Sequence, residues 1–228
     1  MKKIAILIPV IFVAALVISA GLQVVLSPDF EGFKREPANK PVVTYLPGKD
    51  GETYAPEGSP VYNWTDHPVF IIGDSLTQGA KKEIEKALGE VTIDGLKSRN
   101  MSDGLAILRE WQGVGILPDD AIIVICLAHN ITGSTVEDAQ QIVDMIRPGQ
   151  SLIMMTGHGN SNMGPINEFI RGLPHAYSFI TVADWDLTIA QSPGLLSGDG
   201  IHIAGRRGNE LYADLILKAL EVTKPMLQ

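Results

Sequence analysis

The seven residues 121–127 constrain the fold of this chain more than any other feature of the sequence. They read AIIVICL, which is apolar on both sides of an extended strand and rich in β-branched residues. A strand with two apolar faces must be covered on both sides, and helices supply that cover in a parallel sheet. The sequence therefore predicts the central strand of an α/β domain at this position.

Short apolar runs and segments with helical periodicity alternate on either side of this strand. Further strands are predicted at 69–72, 91–93, 152–155 and 179–182, and helices at 80–88, from Ser102 through Trp111, from Thr135 through Ile146, and at 205–222. Such alternation implies a three-layer α/β/α sandwich with a central parallel sheet. Ligands bind at the carboxyl ends of parallel strands, so the loops that follow these strands are expected to hold the functional residues.

The N-terminal segment differs in character from the rest of the chain. Residues 4–26 are almost wholly apolar, and about 23 residues of helix extend roughly 34 Å, enough to cross a hydrocarbon core of about 30 Å. Lys2 and Lys3 precede the segment and the next basic residue is Lys34, so the positive-inside rule predicts one transmembrane helix over 1–26, with a cytoplasmic N-terminus and an extracytoplasmic remainder. The alternative is a signal peptide that is cleaved near Ala20, which would release the domain by secretion.

Proline and glycine set the next segment apart from the domain that follows. Residues 27–68 hold seven of the 14 prolines and are predicted to be an extracytoplasmic linker. The aromatic residues Tyr54, Tyr62 and Trp64 near its end predict that part of it packs on the next domain. Residues 69–228 are predicted to form that single domain.

Charge and cysteine content exclude several functional classes. The chain has 18 basic and 26 acidic residues, a net charge of −8, so it lacks the basic field that holds nucleic acid. Cys126 is the only cysteine, which excludes an internal disulfide and a cysteine-rich zinc site and leaves a core role inside the central strand. The five histidines show no HExxH pattern, so neither a metal nor a cofactor is expected.

Two short motifs place nucleophilic chemistry at predicted strand ends. Gly73-Asp74-Ser75-Leu76 follows the first strand of the domain and opens a helix, so the Ser75 hydroxyl would be exposed beside backbone donors able to stabilise an oxyanion. Asp199-Gly200-Ile201-His202 precedes the last helix, and its aspartate could orient an imidazole that takes the serine proton. Each motif alone is weak, and a helix cap or a turn is the plainer reading. Their combination in one parallel-sheet domain favours catalysis.

These blocks resemble those of the SGNH (GDSL) hydrolase superfamily. GDSL at 73–76 and DGIH at 199–202 are similar to the first and last family blocks, DGLKSR at 94–99 to the second, and LAHN at 127–130 to the third. The second block and Asp184-Trp185 are similar to those of the extracytoplasmic SGNH domain of bacterial peptidoglycan O-acetyltransferases. The resemblance implies an SGNH/flavodoxin-like three-layer fold over about 69–222.

The resemblance also implies a role for individual residues. Ser75 would be the nucleophile, His202 the general base and later acid, and Asp199 the partner that fixes the imidazole tautomer. The oxyanion donors would be the amides of Ser75 and Ser98 and the side chain of Asn130. Ser98 stands where the family has glycine, so the backbone donor survives only if the backbone angles do not demand glycine. A milder departure precedes Asn130, where Ala128-His129 replaces the usual glycine-threonine.

Two further residues are candidates for substrate binding. Arg99 either holds the Ser98 loop through a salt bridge or meets a substrate anion or hydroxyl. Trp185 either packs in the core or offers a platform for a sugar, and Asp184 before it is expected to be a loop or cap residue.

Together these features predict an extracytoplasmic serine esterase or O-acyltransferase that works through an acyl-enzyme on Ser75. The resemblance to the O-acetyltransferases, with the predicted anchor, implies that it acts on acetyl esters of cell-envelope glycans. The acylated glycan would be its partner, and a transferase would need a separate multi-span membrane protein to deliver the acyl group. The alternatives are a non-catalytic glycan-binding module of the same fold and a general secreted carboxylesterase or lipase.

Overall fold

A computed structural model of the chain describes residues 45–47, 53–56, 63–159 and 161–226. The predicted transmembrane or signal segment at 4–26 lies outside these residues, as does most of the predicted linker. Of the helices in the described ranges, none combines the length and the apolar character that crossing a bilayer requires. Residues Val43–Gln228 form one compact unit, which contains all the described strands and helices.

One sheet of seven strands runs through the described part of the chain. Its strands are β1 (Tyr45–Pro47), β2 (Thr53–Pro56), β3 (Val69–Gly73), β4 (Thr92–Gly95), β5 (Ile122–Cys126), β6 (Ser151–Met155) and β7 (Ile180–Ala183). The spatial order is β1-β2-β7-β6-β5-β3-β4. The five strands from β3 to β7 are parallel, whereas β1 and β2 add an antiparallel edge beside β7. The predicted parallel sheet is therefore confirmed, with β5 at its centre between β3 and β6.

Six α-helices in the described part of the chain connect and flank these strands. They are α1 (Ser75–Leu88), α2 (Met101–Gly113), α3 (Thr135–Asp144), α4 (Gly164–Ala176), α5 (Trp185–Ala190) and α6 (Gly205–Val222). The apolar residues of α2, α3 and α4 pack in one core cluster and those of α1, α5 and α6 in a second. The helices therefore cover both faces of the sheet.

The central strand shows how its sequence produces the layers. Successive side chains point to opposite faces, so Ile123 and Ile125 join the first cluster while Ile122, Val124 and Cys126 join the second. Every residue of β5 is buried. Its two apolar faces are thus each covered by helices, as the sequence requires.

Several local features differ from the sequence-based expectations. The sheet begins before residue 69, because β1 and β2 fall within the range predicted as linker. Asn100, not Ser102, caps α2, since its side chain accepts from Asp103 N while the Asp103 side chain accepts from Asn100 N. Thr135 begins α3 itself and does not cap it: its hydroxyl oxygen accepts from Thr132 N.

Candidate active site

The first site motif forms the turn between β3 and α1. Asp74 is the N-cap of α1 and accepts a hydrogen bond from Leu76 N at 2.9 Å, so Ser75 is the first residue of the helix. Gly73 fits here because a Cβ at this position would overlap the Thr77 side chain. The turn therefore exposes the Ser75 hydroxyl at the carboxyl edge of the sheet, beside the free N–H groups of the first helical turn.

The last motif brings a histidine and a carboxylate to that hydroxyl. His202 Nε2 lies 3.0 Å from Ser75 Oγ, and His202 Nδ1 lies 2.7 Å from Asp199 Oδ2. The contact between Ser75 and His202 joins residues 127 positions apart in the sequence. The predicted Ser75, His202 and Asp199 therefore lie in one hydrogen-bonded row, an arrangement that can deprotonate a serine hydroxyl.

The loop that carries Asp199 is built to hold its carboxylate ionised. Asp199 Oδ1 accepts from the backbone N–H groups of Ile201 and His202, both at 2.9 Å, and lies 2.8 Å from the Ser197 hydroxyl. The Ile201 N–H, followed by the His202 ring, holds the pKa of the Asp199 carboxyl well below its usual range. The side chains of Asp199 and His202 are each 49% exposed, so the dyad is open to solvent and to large substrates.

The second block forms a tight loop after β4. Ser98 adopts φ +63°, the only positive φ of a non-glycine residue among those described. Ser98 thus adopts the left-handed backbone conformation that glycine favours. Its backbone N–H therefore points in the direction that a glycine in the same conformation would give it. Gly95 is needed for a different reason, since a Cβ there would lie 2.8 Å from Gln78 N of α1.

Arg99 ties the same loop to the strands. Its guanidinium donates to Asp94 O at 2.6 Å, lies 3.0 Å from Asp94 Oδ1 and reaches Gly73 O at 3.5 Å. Its side chain is only 10% exposed. Of the two roles considered for Arg99, these contacts favour the one in which it holds the Ser98 loop through a salt bridge.

Asn130 connects the third block to the second. Its side-chain nitrogen donates to Arg99 O at 2.8 Å, which fixes the amide group and leaves its second hydrogen for a ligand. Leu96 N in turn donates to Gly73 O at 3.1 Å. The three blocks predicted to supply oxyanion donors are thus linked to one another by hydrogen bonds.

The substrate-binding role predicted for Trp185 requires correction. Trp185 is fully buried and meets Tyr212 edge to face, with ring centroids 5.1 Å apart. A sugar in an exposed cleft cannot reach this ring, so Trp185 is a packing residue. Asp184 before it caps α5 by accepting from Leu187 N, as expected of a cap residue.

A second polar cluster lies at the ends of β6 and β7, and the sequence did not predict that its members would meet. Arg171 of α4 makes two bonds to the buried Asp184 and one to Asp186, and His158 Nδ1 lies 2.8 Å from Asp186 Oδ1. The bonds to Asp184 raise the pKa of Arg171. The two aspartates of the Asp-x-Asp sequence after a predicted strand were the only sign of this cluster in the sequence. Their positively charged and imidazole partners come from residues distant in the chain, which the sequence pattern does not reveal.

Cys126 lies beneath the turn that carries Ser75, as a core residue. It is 1% exposed, and burial raises the pKa of its thiol to about 12. A thiol with so little thiolate is a poor nucleophile. Beside it the hydroxyls of Thr77 and Tyr212 pair at 2.9 Å.

Comparisons with known proteins agree with this fold. No family model matches the chain. A Bacillus subtilis (strain 168) protein named "Putative peptidoglycan O-acetyltransferase YrhL" is 27% identical over 158 residues, which cover 69% of this chain and 24% of that protein. The chain thus spans about a quarter of the length of this curated relative.

Solved structures of other proteins have the same fold. The C-terminal catalytic domain of Streptococcus pneumoniae peptidoglycan O-acetyltransferase A, determined with a methylsulfonyl adduct, superposes with a TM-score of 0.65 at 22% identity, covering 71% of this chain and 98% of that domain. A lipolytic G-D-S-L family protein from Veillonella parvula has a TM-score of 0.55 at 15% identity, with 67% and 97% covered. The resemblance of this chain to the SGNH (GDSL) hydrolase superfamily, and to the SGNH domain of peptidoglycan O-acetyltransferases, is thereby confirmed.

Proposed function

We propose that this chain is a serine-dependent acyl-transfer enzyme that removes or transfers acetyl groups on cell-envelope glycans. The observation that carries the proposal is the row formed by Ser75 Oγ, the His202 ring and the Asp199 carboxylate, with contacts of 3.0 and 2.7 Å. Both distances lie within the range at which a base accepts a proton and a carboxylate orients it. The 27% identity to a peptidoglycan O-acetyltransferase supports the acetyl group and the glycan.

In the first half-reaction His202 Nε2 takes the proton of Ser75 as Oγ attacks the ester carbonyl. Asp199 accepts the Nδ1–H bond and so stabilises the imidazolium that forms. The oxyanion receives hydrogen bonds from the amides of Ser75 and Ser98 and from Asn130. Collapse of this intermediate breaks the ester C–O bond, His202 protonates the leaving alkoxide, and an acetyl group remains on Ser75.

The second half-reaction repeats these steps with a new nucleophile. His202 deprotonates water or a sugar hydroxyl, which attacks the acetyl-serine and regenerates the Ser75 hydroxyl. If water is the acceptor, the enzyme is an esterase, and if a sugar hydroxyl is the acceptor, it is an O-acetyltransferase. The two differ in how well a bound acceptor excludes water, not in the triad.

The triad is tested on the chain 43–228 with p-nitrophenyl acetate. We expect turnover by the wild type, a loss of more than about 10³-fold in Ser75→Ala, and no change in the control Ser102→Ala, whose serine is exposed on α2. A methylsulfonyl or phenylmethylsulfonyl fluoride should label Ser75 and no other serine. Equal activity in wild type and Ser75→Ala, without labelling, would reduce the chain to a binding module.

Acetylated and unacetylated N-acetylglucosamine oligomers then distinguish the two acceptors. Mass spectrometry that shows acetyl groups moving from a donor ester to the oligomers supports the transferase, while loss of acetyl groups to water supports the esterase. A transferase in the cell would also need a membrane protein that delivers the acyl group, which co-purification from membranes would detect.

The proposed location is the outer face of the plasma membrane, held by a single helix at 4–26. The full-length chain should sediment with membranes and resist extraction by high salt, and the domain should be accessible to protease from outside the cell. A full-length product found only in the soluble external fraction, shortened near residue 20, would support the cleaved signal peptide in place of the anchor.

A further inference from the structure

Asp74 and His129 form a buried pair that the proposed reaction does not use. Asp74 is fully buried and His129 is 6% exposed. Asp74 Oδ2 lies 3.1 Å from His129 Nδ1. The pair therefore brings a carboxylate and an imidazole together beneath the cleft, out of contact with solvent.

The two residues lie in the loops that follow the neighbouring strands β3 and β5. Asp74 directly precedes the nucleophile Ser75, and His129 directly precedes Asn130. Strands β3 and β5 run parallel, with Gly73 opposite Cys126, so the side-chain contact spans the ends of two paired strands. The contact therefore joins the turn that carries Ser75 to the turn that carries Asn130.

The Asp74 carboxylate has one contact at each oxygen. Oδ1 accepts from Leu76 N, and Oδ2 faces His129 Nδ1, which donates to it in the tautomer that carries its proton on Nδ1. The other ring nitrogen, His129 Nε2, is buried and has no hydrogen-bond partner among the described residues. The imidazole is thus tied at one end only.

Stability alone gives a weak reason for such a pair. Burying a carboxylate and a half-satisfied imidazole costs desolvation free energy that well-packed apolar side chains of similar volume would avoid. Removing one partner alone would leave the other buried and unpaired. What the hydrogen bond provides that an apolar contact lacks is a fixed direction and length.

We propose that Asp74 and His129 are positioning residues that set the spacing of the oxyanion donors on the Ser75 and Asn130 turns. The inference rests on the function proposed above. Asp74 holds the first helical turn, which includes the Ser75 amide, and His129 holds the residue whose amide side chain completes the group of donors. Since Asn130 is bonded in addition to Arg99 O, a shift of its backbone would also move the Ser98 loop.

A positioning role predicts a loss in kcat with little change in KM, because the oxyanion develops only in the transition state. Displacing a donor by about 1 Å can lower the rate about 100-fold. We therefore expect His129→Leu, which fills similar space without a donor, to lower kcat for p-nitrophenyl acetate by about 10- to 100-fold. Its rate of labelling by sulfonyl fluoride should fall in parallel.

Two companion variants separate the hydrogen bond from the ring. In His129→Asn the amide nitrogen occupies nearly the position of Nδ1 and can donate to Asp74, so this variant should recover most of the lost kcat. In Asp74→Ser the shorter side chain can still cap α1 but cannot reach His129, so its kcat should fall like that of His129→Leu. The double variant Asp74→Ser/His129→Leu should lose no more than either single variant, because both remove the same contact.

The measurements use the chain 43–228, with kcat expressed per active site titrated by sulfonyl fluoride. Ile142→Ala serves as the matched control, since Ile142 is fully buried in α3 and its truncation should lower stability without lowering kcat. If His129→Leu folds too poorly to assay, Asp74→Ser carries the same test.

Two results would overturn the inference while the proposed function stands: an active wild type whose His129→Leu and Asp74→Ser variants keep kcat within about twofold, or a His129→Asn variant as impaired as His129→Leu. A wild type with neither turnover nor labelling would overturn the proposed function and the inference together.

Discussion

At the scale of single residues, Ser98 is the clearest case of a residue type that its backbone conformation disfavours. Its φ of +63° is one that L-residues other than glycine adopt at a cost of about 1–2 kcal/mol. The substitution Ser98→Gly should therefore raise the free energy of unfolding by up to about 1 kcal/mol, after the greater entropy of unfolded glycine is subtracted. Urea denaturation of the two proteins measures the difference.

Ser98→Val supplies the opposite test, because a β-branched residue tolerates positive φ worst and should lower stability below that of the wild type. If Ser98→Gly proved less stable than the wild type, the serine hydroxyl would outweigh the backbone angle at this position.

Asp199 gives the protein a stability that depends on pH. Its pKa is lowered in the folded state by the Ile201 N–H and the His202 ring, so its contribution is fully present above the unfolded carboxyl pKa of about 4 and is lost as the pH falls below that value. Asp199→Asn should therefore be less stable than the wild type at pH 7, and the difference should shrink on acidification toward pH 3. Urea midpoints at pH 7, 5 and 3 measure it. A gap between the two proteins that widened toward pH 3 would contradict a lowered Asp199 pKa.

The sequence predicted three of the site residues to lie together because their types and order already define the chemistry. Ser75 follows a strand, and Asp199 and His202 share one short loop. Only the approach of that loop, which precedes α6, to the turn after β3 had to come from the fold. For Trp185 and for the backbone of Ser98 the sequence left alternatives open and could not choose between them. Both depend on neighbours far along the chain, such as Tyr212, or on a backbone angle that residue type does not encode.

At the scale of elements, α2 shows how closely one helix approaches the sheet. A Cβ at Gly104 would overlap the Leu127 side chain, whereas a Cβ at Gly172 of α4 would meet no atom within 4 Å beyond its own helix. Gly104→Ala should lower the free energy of unfolding by about 1–3 kcal/mol through overpacking. Gly172→Ala should raise it by about 0.5–1 kcal/mol, since alanine favours the helix.

Thermal or urea unfolding of both alanine variants provides the comparison. Equal effects of the two substitutions would show that the contact between α2 and Leu127 relaxes without cost.

Helices α4 and α5 could not be predicted from the pattern of apolar residues in the sequence. The α4 sequence contains Pro165, Gly172 and Pro174, which indicate loops, although Ile166, Ile170 and Leu173 carry helical spacing. Proline in the first turn is compatible with a helix, and tertiary packing of the apolar side chains outweighs the unfavourable residues. Helix α5 has only six residues, too few for a periodic signal.

At the scale of the whole molecule, the antiparallel edge protects the parallel sheet. Strand β2 pairs with β7 at Thr53↔Ala183 and Tyr54↔Val182. A chain of residues 63–228 would leave the edge of β7 unpaired, and such edges recruit other chains. We expect it to unfold at lower urea concentration than the chain 43–228 and to aggregate as its concentration rises.

Light scattering and urea titration of the two chains test this directly. Identical midpoints and identical scattering would show that β1 and β2 contribute nothing to the sheet they join. The sequence did not predict these strands, because three or four residues between prolines carry too little pattern, and only the open edge of β7 gives them a partner.

The separation of 127 positions between Ser75 and His202 also has a consequence in time. The ribosome completes the turn that carries Ser75 long before it adds His202, so a growing chain holds the serine with no imidazole to activate it. The reaction becomes possible only after the segment that begins α6 has arrived and docked. In the proposed mechanism, the order of synthesis alone therefore leaves Ser75 inactive until the domain has folded.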